Sequence, residues 1–188
     1  TYAIPYTTPY TVSNPSVFGR GVAMLTRPGK VYAVVAAGTA SASGVGKVAV
    51  VDVTNPDAAH QVVATVATTV GGNASDIAIN EEGTLAFVAD YGGGVQVIDL
   101  TDPEHPVRLG TGLSLGAGAI RVTVTGNRVL ASTSSQTEPQ VAIIDATNPL
   151  AMVKVGFISG MFDGALDTFG DRYALLPSLA LGLIAVDL

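Results

Sequence analysis

A nine-residue phrase recurs along the chain, and its recurrence narrows the choice of fold more than any other feature. Val95-Gln96-Val97-Ile98-Asp99-Leu100-Thr101-Asp102-Pro103 reads as an apolar strand ending in an aspartate and a Thr-Asp-Pro turn. Val48 to Pro56 and Val141 to Pro149 repeat it, and Leu183 to Leu188 repeats its first part. The aspartates, Asp52, Asp99, Asp145 and Asp187, are spaced by 47, 46 and 42 residues. Stacked helical hairpins could share that period, but their apolar residues would recur about every 3.6 positions. Here they alternate or form β-branched pairs such as Val62-Val63 and Ile143-Ile144, which is strand patterning. An all-β chain built from four-stranded units of roughly 40–50 residues is expected to be a β-propeller, one sheet per repeat.

The phrase also has a local reading. The Val/Ile block suits a strand covered on both faces. The aspartate can accept backbone hydrogen bonds from two or three residues on, and proline then fixes φ and ends the strand. Asp52, Asp99, Asp145 and Asp187 are therefore read as structural turn residues, since a reactive group is rarely copied into every repeat.

In chain order, the expected propeller is a single domain over 1–188 with blades at about 20–70, 71–116, 117–160 and 161–188. The first blade takes its inner strand from Gly21 to Leu25, a hairpin at Arg27 to Lys30 and a second strand from Val31 to Ala36. Gln61 to Thr69 reads as an outer strand. The second takes Ser75 to Ile79 and Leu85 to Asp90, with Tyr91 to Gly94 turning into the key strand. The third takes Ile120 to Val124, Val129 to Ala131 and Val153 to Ile158. In the fourth, Asp163 to Asp167 leads to Arg172 to Leu176 and then to an apolar loop, Pro177 to Gly182. The fourth phrase stops at Leu188, which leaves its sheet one strand short. A bare sheet edge invites pairing, so a strand within 2–12, in the Tyr/Thr/Pro-rich start of the chain, is expected to fill that edge and close a four-bladed ring of four antiparallel strands each. Prolines are tolerated on such an edge.

The phrase at Val95 to Pro103, preceded by Leu85-Ala86-Phe87-Val88-Ala89-Asp90, resembles the LVIVD repeat family of bacterial β-propellers. Asn80-Glu81-Glu82-Gly83 is similar to the turn of the related YVTN-type propellers. The resemblance covers about residues 20–188. It implies exported or surface binding modules with no shared catalytic motif. It departs from the family in blade number, because members usually carry more than four repeats; a small closed ring and a piece of a larger one are both open.

Composition removes several classes of function. The chain has 188 residues, no cysteine and a formal charge of −6. That excludes disulfides, thiolate metal sites and a cysteine nucleophile. No Lys/Arg cluster offers a face for phosphate backbones, so nucleic acid is not an expected partner. No apolar run reaches the roughly 20 residues of a membrane helix. Low charge and Thr/Ser/Gly-rich loops lean towards an extracellular, periplasmic or cell-surface location.

Propellers bind ligands at the mouth of the central channel. The polar residues expected there are Arg20, Asp76, Arg121, Asp163 and Asp167. They could grip a small polar ligand, with arginine forking onto a carboxylate or phosphate, or pair with one another. His60 and His105 sit in turns on the opposite face and make a poor metal signal. Ser132 to Ser135 has hydroxyls without a nearby histidine, so no hydrolase triad is supported. Gly92-Gly93-Gly94 is a hairpin and not a phosphate loop. No metal and no cofactor are expected. Tyr91, Phe162 and Leu179-Ala180-Leu181 are read as a rim patch that would suit self-association. The preferred function is a non-catalytic exported propeller that binds a small polar ligand or a protein. The alternatives are a small propeller lyase, cyclase or hydrolase at the channel mouth, and a structural segment of a larger surface protein.

Overall fold

The computed structural model of the chain describes residues 17–39, 45–55, 57–58, 61–70, 72–135, 140–160, 166–170, 172–178 and 182–188. The described structure is all β, in four antiparallel sheets. Sheet 1 is β1 (Val17–Arg27), β2 (Lys30–Thr39), β3 (Val45–Asp52) and β4 (Gln61–Val70). Sheet 2 is β5 (Ala74–Ile79), β6 (Leu85–Asp90), β7 (Gly94–Asp99) and β8 (Val107–Leu113). Sheet 3 is β9 (Ala119–Thr125), β10 (Arg128–Thr133), β11 (Gln140–Asp145) and β12 (Val153–Ser159). Sheet 4 has three described strands, β13 (Asp167–Phe169), β14 (Tyr173–Ser178) and β15 (Gly182–Asp187). Each sheet is a meander in sequence order. The first strands pack side by side, β1 on β5, β5 on β9 and β9 on β13, while of the outer strands only β4 and β8 pack closely. The sheets therefore fan out from their inner strands.

The core lies between sheets. Strand alternation gives every sheet two apolar faces, one towards the sheet before it and one towards the sheet after it. Tyr32, Val34, Ala36, Val48 and Val50 of sheet 1 meet Ala74, Ile77, Ala86, Val88 and Ile98 of sheet 2. The other face of sheet 2, with Phe87, Ala89, Val95 and Val97, meets Val122, Val129, Ala131, Ala142 and Ile144 of sheet 3. Leu130 and Val141 then meet Leu166, Ala174 and Leu176. Ile98, Leu130, Ile144 and Leu176 are wholly removed from water, each worth about 1.5–3 kcal/mol of transfer free energy.

The repeated aspartates start turns. Asp52 Oδ1 accepts the Thr54 amide at 2.9 Å, Asp99 Oδ1 that of Thr101 at 2.8 Å, and Asp145 Oδ1 that of Thr147 at 2.9 Å. A second such bond follows in each turn, from Asp57 to Asn55, Glu104 to Asp102 and Leu150 to Asn148. Asp187 instead takes a forked contact from Arg172, at 2.7 and 2.6 Å. One backbone bond recurs in all four sheets: the amide after the aspartate donates to a carbonyl at the start of the second strand or just before it. The pairs are Val53 to Val31, Leu100 to Thr84, Ala146 to Asn127 and Leu188 to Arg172.

Two expectations need revision. First, closure of a four-bladed ring is not seen among the described residues. The packing that joins neighbouring inner strands is not repeated between β13 and β1, and Val22, Met24, Phe169 and Leu183 on the two end sheets stay exposed. The closing strand assigned to 2–12 lies outside the described residues. Second, Pro177 and Ser178 continue β14, with Pro177 opposite Leu183, so the apolar connection is shorter than expected.

Candidate functional site

The inner strands share a distortion at the same level. On β1, Gly19 pairs with Ala37 and Gly21 with Ala36, so Arg20 is the extra residue of a β-bulge. On β5 the extra residue is Ser75, between Ala74 (opposite Asp90) and Asp76 (opposite Ala89). On β9 it is Ile120, between Ala119 (opposite Thr133) and Arg121 (opposite Ser132). Bulges add twist and re-aim side chains, and they gather at functional sites. Here they set Gly21, Asp76 and Arg121 at equivalent positions on three adjacent strands.

Asp76 joins these strands. Its Oδ2 accepts the Val122 amide of β9 at 3.1 Å. Its Oδ1 and Cα lie against Gly21 of β1, where an added Cβ would meet them at 2.6 and 2.7 Å. Only glycine lets the two backbones approach so closely. Arg121 bonds through its own amide to Ser132 Oγ at 3.2 Å. Its guanidinium, like that of Arg20, belongs to no ion pair among the described residues. Arg20 is exposed, and its Nε and the Asn73 amide oxygen crowd the place where a Cβ at Gly38 would stand. Asp167 does not share the level of Asp76 and Arg121: it pairs with Leu175, two positions further along the strand, and caps the Thr168 amide at 2.8 Å. Asp163 lies outside the described residues. The expected set is thus divided. Asp76 and Arg121 are level neighbours, Arg20 stands on the adjoining bulge, and Asp167 is apart.

The opposite face holds a cluster that sequence reasoning missed. Lys30 Nζ reaches Asp52 at 2.9 Å and Glu104 at 3.1 Å, and the Tyr32 hydroxyl donates to Glu104 at 2.9 Å. Lys30, Asp52 and Glu104, with Thr54, Asn55 and Gln61, line a pocket of about 380 Å³ between the turns of sheets 1 and 2. The Thr54 hydroxyl and amide, and then Lys30, hold the Asp52 carboxyl down to about 2. Tyr32 and Lys30 hold Glu104 below the usual range. The bonds to these two carboxylates raise Lys30. Lys30 and Glu104 are 74 residues apart, and each looks like an ordinary turn charge in sequence. The only available signal was that Lys30, Arg128 and Arg172 recur near the start of the second strand, facing the repeated aspartate.

His105 pairs with Asp102 within its own turn at 2.9 Å, and His60 lies outside the described residues. Of the hydroxyls at Ser132 to Ser135, Ser132 Oγ accepts the Arg121 amide and Thr133 Oγ1 donates to the Gln140 carbonyl at 3.3 Å. No group of three or more His, Asp or Glu among the described residues could hold a metal ion. Tyr91 is exposed; its expected rim partners Phe162 and Leu179 to Leu181 are outside the described residues.

Residues 71–111 match the LVIVD repeat model. The chain carries an LVIVD repeat in a β-propeller fold. The fold is supported by the β-propeller domain of Myceliophteria thermophila Cps50 (Swd1), with a TM-score of 0.58 at 13% identity over 92% of this chain and 55% of that one. A chain of a mitotic checkpoint complex gives 0.59 at 10% identity over 100% of this chain and 56% of that one. A chain from a study of two prolyl endopeptidases gives 0.52 at 20% identity over 83% of this chain and 23% of that one. This propeller chain thus spans just over half the length of the first two. No curated protein matches it. Among the described residues no helix is long and apolar enough to cross a membrane.

Proposed function

We propose that this LVIVD-repeat chain is an exported, non-catalytic binding propeller that receives an anionic group at the mouth formed by its inner strands. The observation that carries the reading is the division of charge there. Asp76 is committed to the Val122 amide, while Arg20 and Arg121 have no carboxylate partner among the described residues. An arginine fork matches a carboxylate or phosphate in two parallel hydrogen bonds. The anion can belong to a small molecule or to an exposed carboxyl group of a protein.

The test is a thermal-shift and calorimetric titration with citrate, succinate and inorganic phosphate. The expected outcome is saturable binding of at least one of them, weakened at least tenfold in Arg20→Ala/Arg121→Ala and unchanged in Arg128→Ala on the opposite face. No binding of any of the three, or equal binding by the double variant, removes the reading. Turnover of a bound ester or lactone by the wild type would move the protein to the alternative enzyme class.

A further inference from the structure

The two end sheets expose faces that the repeat buries everywhere else. Val22, Ile77 and Val122 occupy one repeat position, opposite Val35, Val88 and Ala131. Ile77 and Val122 are each 5% exposed, because the preceding blade covers them, whereas Val22 on the first blade is 62% exposed. At the other end, Val48, Val95, Val141 and Leu183 occupy another repeat position, opposite Ala36, Ala89, Ser132 and Pro177. The first three are fully buried by the following blade, and Leu183 is 69% exposed. Met24 extends the first face, and Phe169 and Tyr173 extend the last.

We propose that these faces meet between two copies of the chain, head to tail, to close a ring of eight blades with a twofold axis along the channel. Three observations select a second copy. The bare faces are the two halves of the blade joint already formed three times within the chain, so they fit each other by the same register. Neither half matches itself: one is the face that looks back along the chain and the other the face that looks forward. This chain also aligns with 55% of the Cps50 (Swd1) propeller chain, so one copy supplies about half of a ring of that kind. With a twofold axis each copy gives its last face to the partner's first, and both joints close at once.

Light scattering on the 188-residue chain from about 1 to 100 μM tests this. The expected mass is twice 18.9 kDa, with Val22→Glu and Leu183→Glu each shifting it to the single-chain value. An equimolar mixture of the two variants keeps one intact joint and is expected to recover a dimer of lower affinity. Circular dichroism and a cooperative melt establish that each variant is folded, and Met24→Gln serves as a milder change on the same face. The proposal is overturned by a wild-type monomer throughout, by a mass that grows with concentration instead of stopping at two, by an aggregated chain, or by a dimer that resists one of the two glutamates. A monomer would mean that further blades, or nothing, cover these faces.

Discussion

Asp90 is the most enclosed carboxylate among the described residues, with no surface left to water. It survives there because four donors converge on it: the amides of Asn73, Gly92 and Gly93 at 2.8–3.1 Å and the Thr69 hydroxyl at 3.0 Å. Asp90→Ala takes the acceptor from the Asn73 and Gly92 amides and the Thr69 hydroxyl and is expected to cost about 3 kcal/mol, since a buried donor without a partner costs about 1–3 kcal/mol; a urea midpoint measures it. The turn aspartates behave differently because they face solvent. Hydrogen bonds from Thr54 and from Thr147, helped by Lys30 and by Arg128, hold Asp52 and Asp145 at about 2, below the ordinary 3.8. Groups depressed in the folded state stabilise it above the unfolded value and cease to do so as pH falls through the folded one. The melting temperature is therefore expected to be flat above about pH 4.5 and to fall between about pH 4 and 2. Asp145→Asn should shrink that fall, and a rise in stability on acidification would contradict the assignment.

Between neighbouring blades, single side chains act as ties. Arg27, at the end of β1, donates through Nη2 to the carbonyls of Gly83 at 2.8 Å and Leu100 at 3.1 Å in the next blade. Arg27→Met removes a charged donor from both carbonyls and is expected to lower stability by about 1.5–3 kcal/mol in chemical denaturation. Gly21→Ala would wedge a methyl group between β1 and β5 against Asp76, at a cost of about 1–3 kcal/mol for overpacking. If Asp76 serves as a positioning residue, the same change should also weaken citrate or phosphate binding. The alternating valines made most strands legible, and Leu85–Asp90 could be read residue by residue. The outer strand β8 was not, because positive-φ glycines interrupt its alternation at Gly110 and Gly112. Asp76 and Arg121 could be placed on inner strands from the pattern alone and lie within β5 and β9, whereas Arg20, expected just before its strand, is inside β1. Their grouping could not be read: it depends on bulges and on a bond between residues 46 apart, Val122 to Asp76.

At the scale of the whole molecule, a row of blades that each touch only their neighbours is a one-dimensional system, with stability summed over units and joints. The middle blades have two joints and the end blades one. Amide exchange should accordingly be slowest in β6 and β7 and fastest in β14 and β15 under dilute conditions. Raising the concentration through dimer formation is expected to protect β14, β15 and β2 while leaving β6 and β7 unchanged; uniform protection would argue against the end-face joint. The architecture was readable from its period, but how far the circle extends was not, since a repeat phrase states what a unit presents to its neighbours and not how many neighbours there are. The backbone bond that recurs from Val53–Val31 to Leu188–Arg172 has a consequence for heredity. Because each unit seals its own turn with its own main chain, duplicating or deleting one 46-residue stretch disturbs no lock elsewhere. A gene of this kind can lengthen or shorten by whole units, leaving selection to act on the diameter of the finished channel.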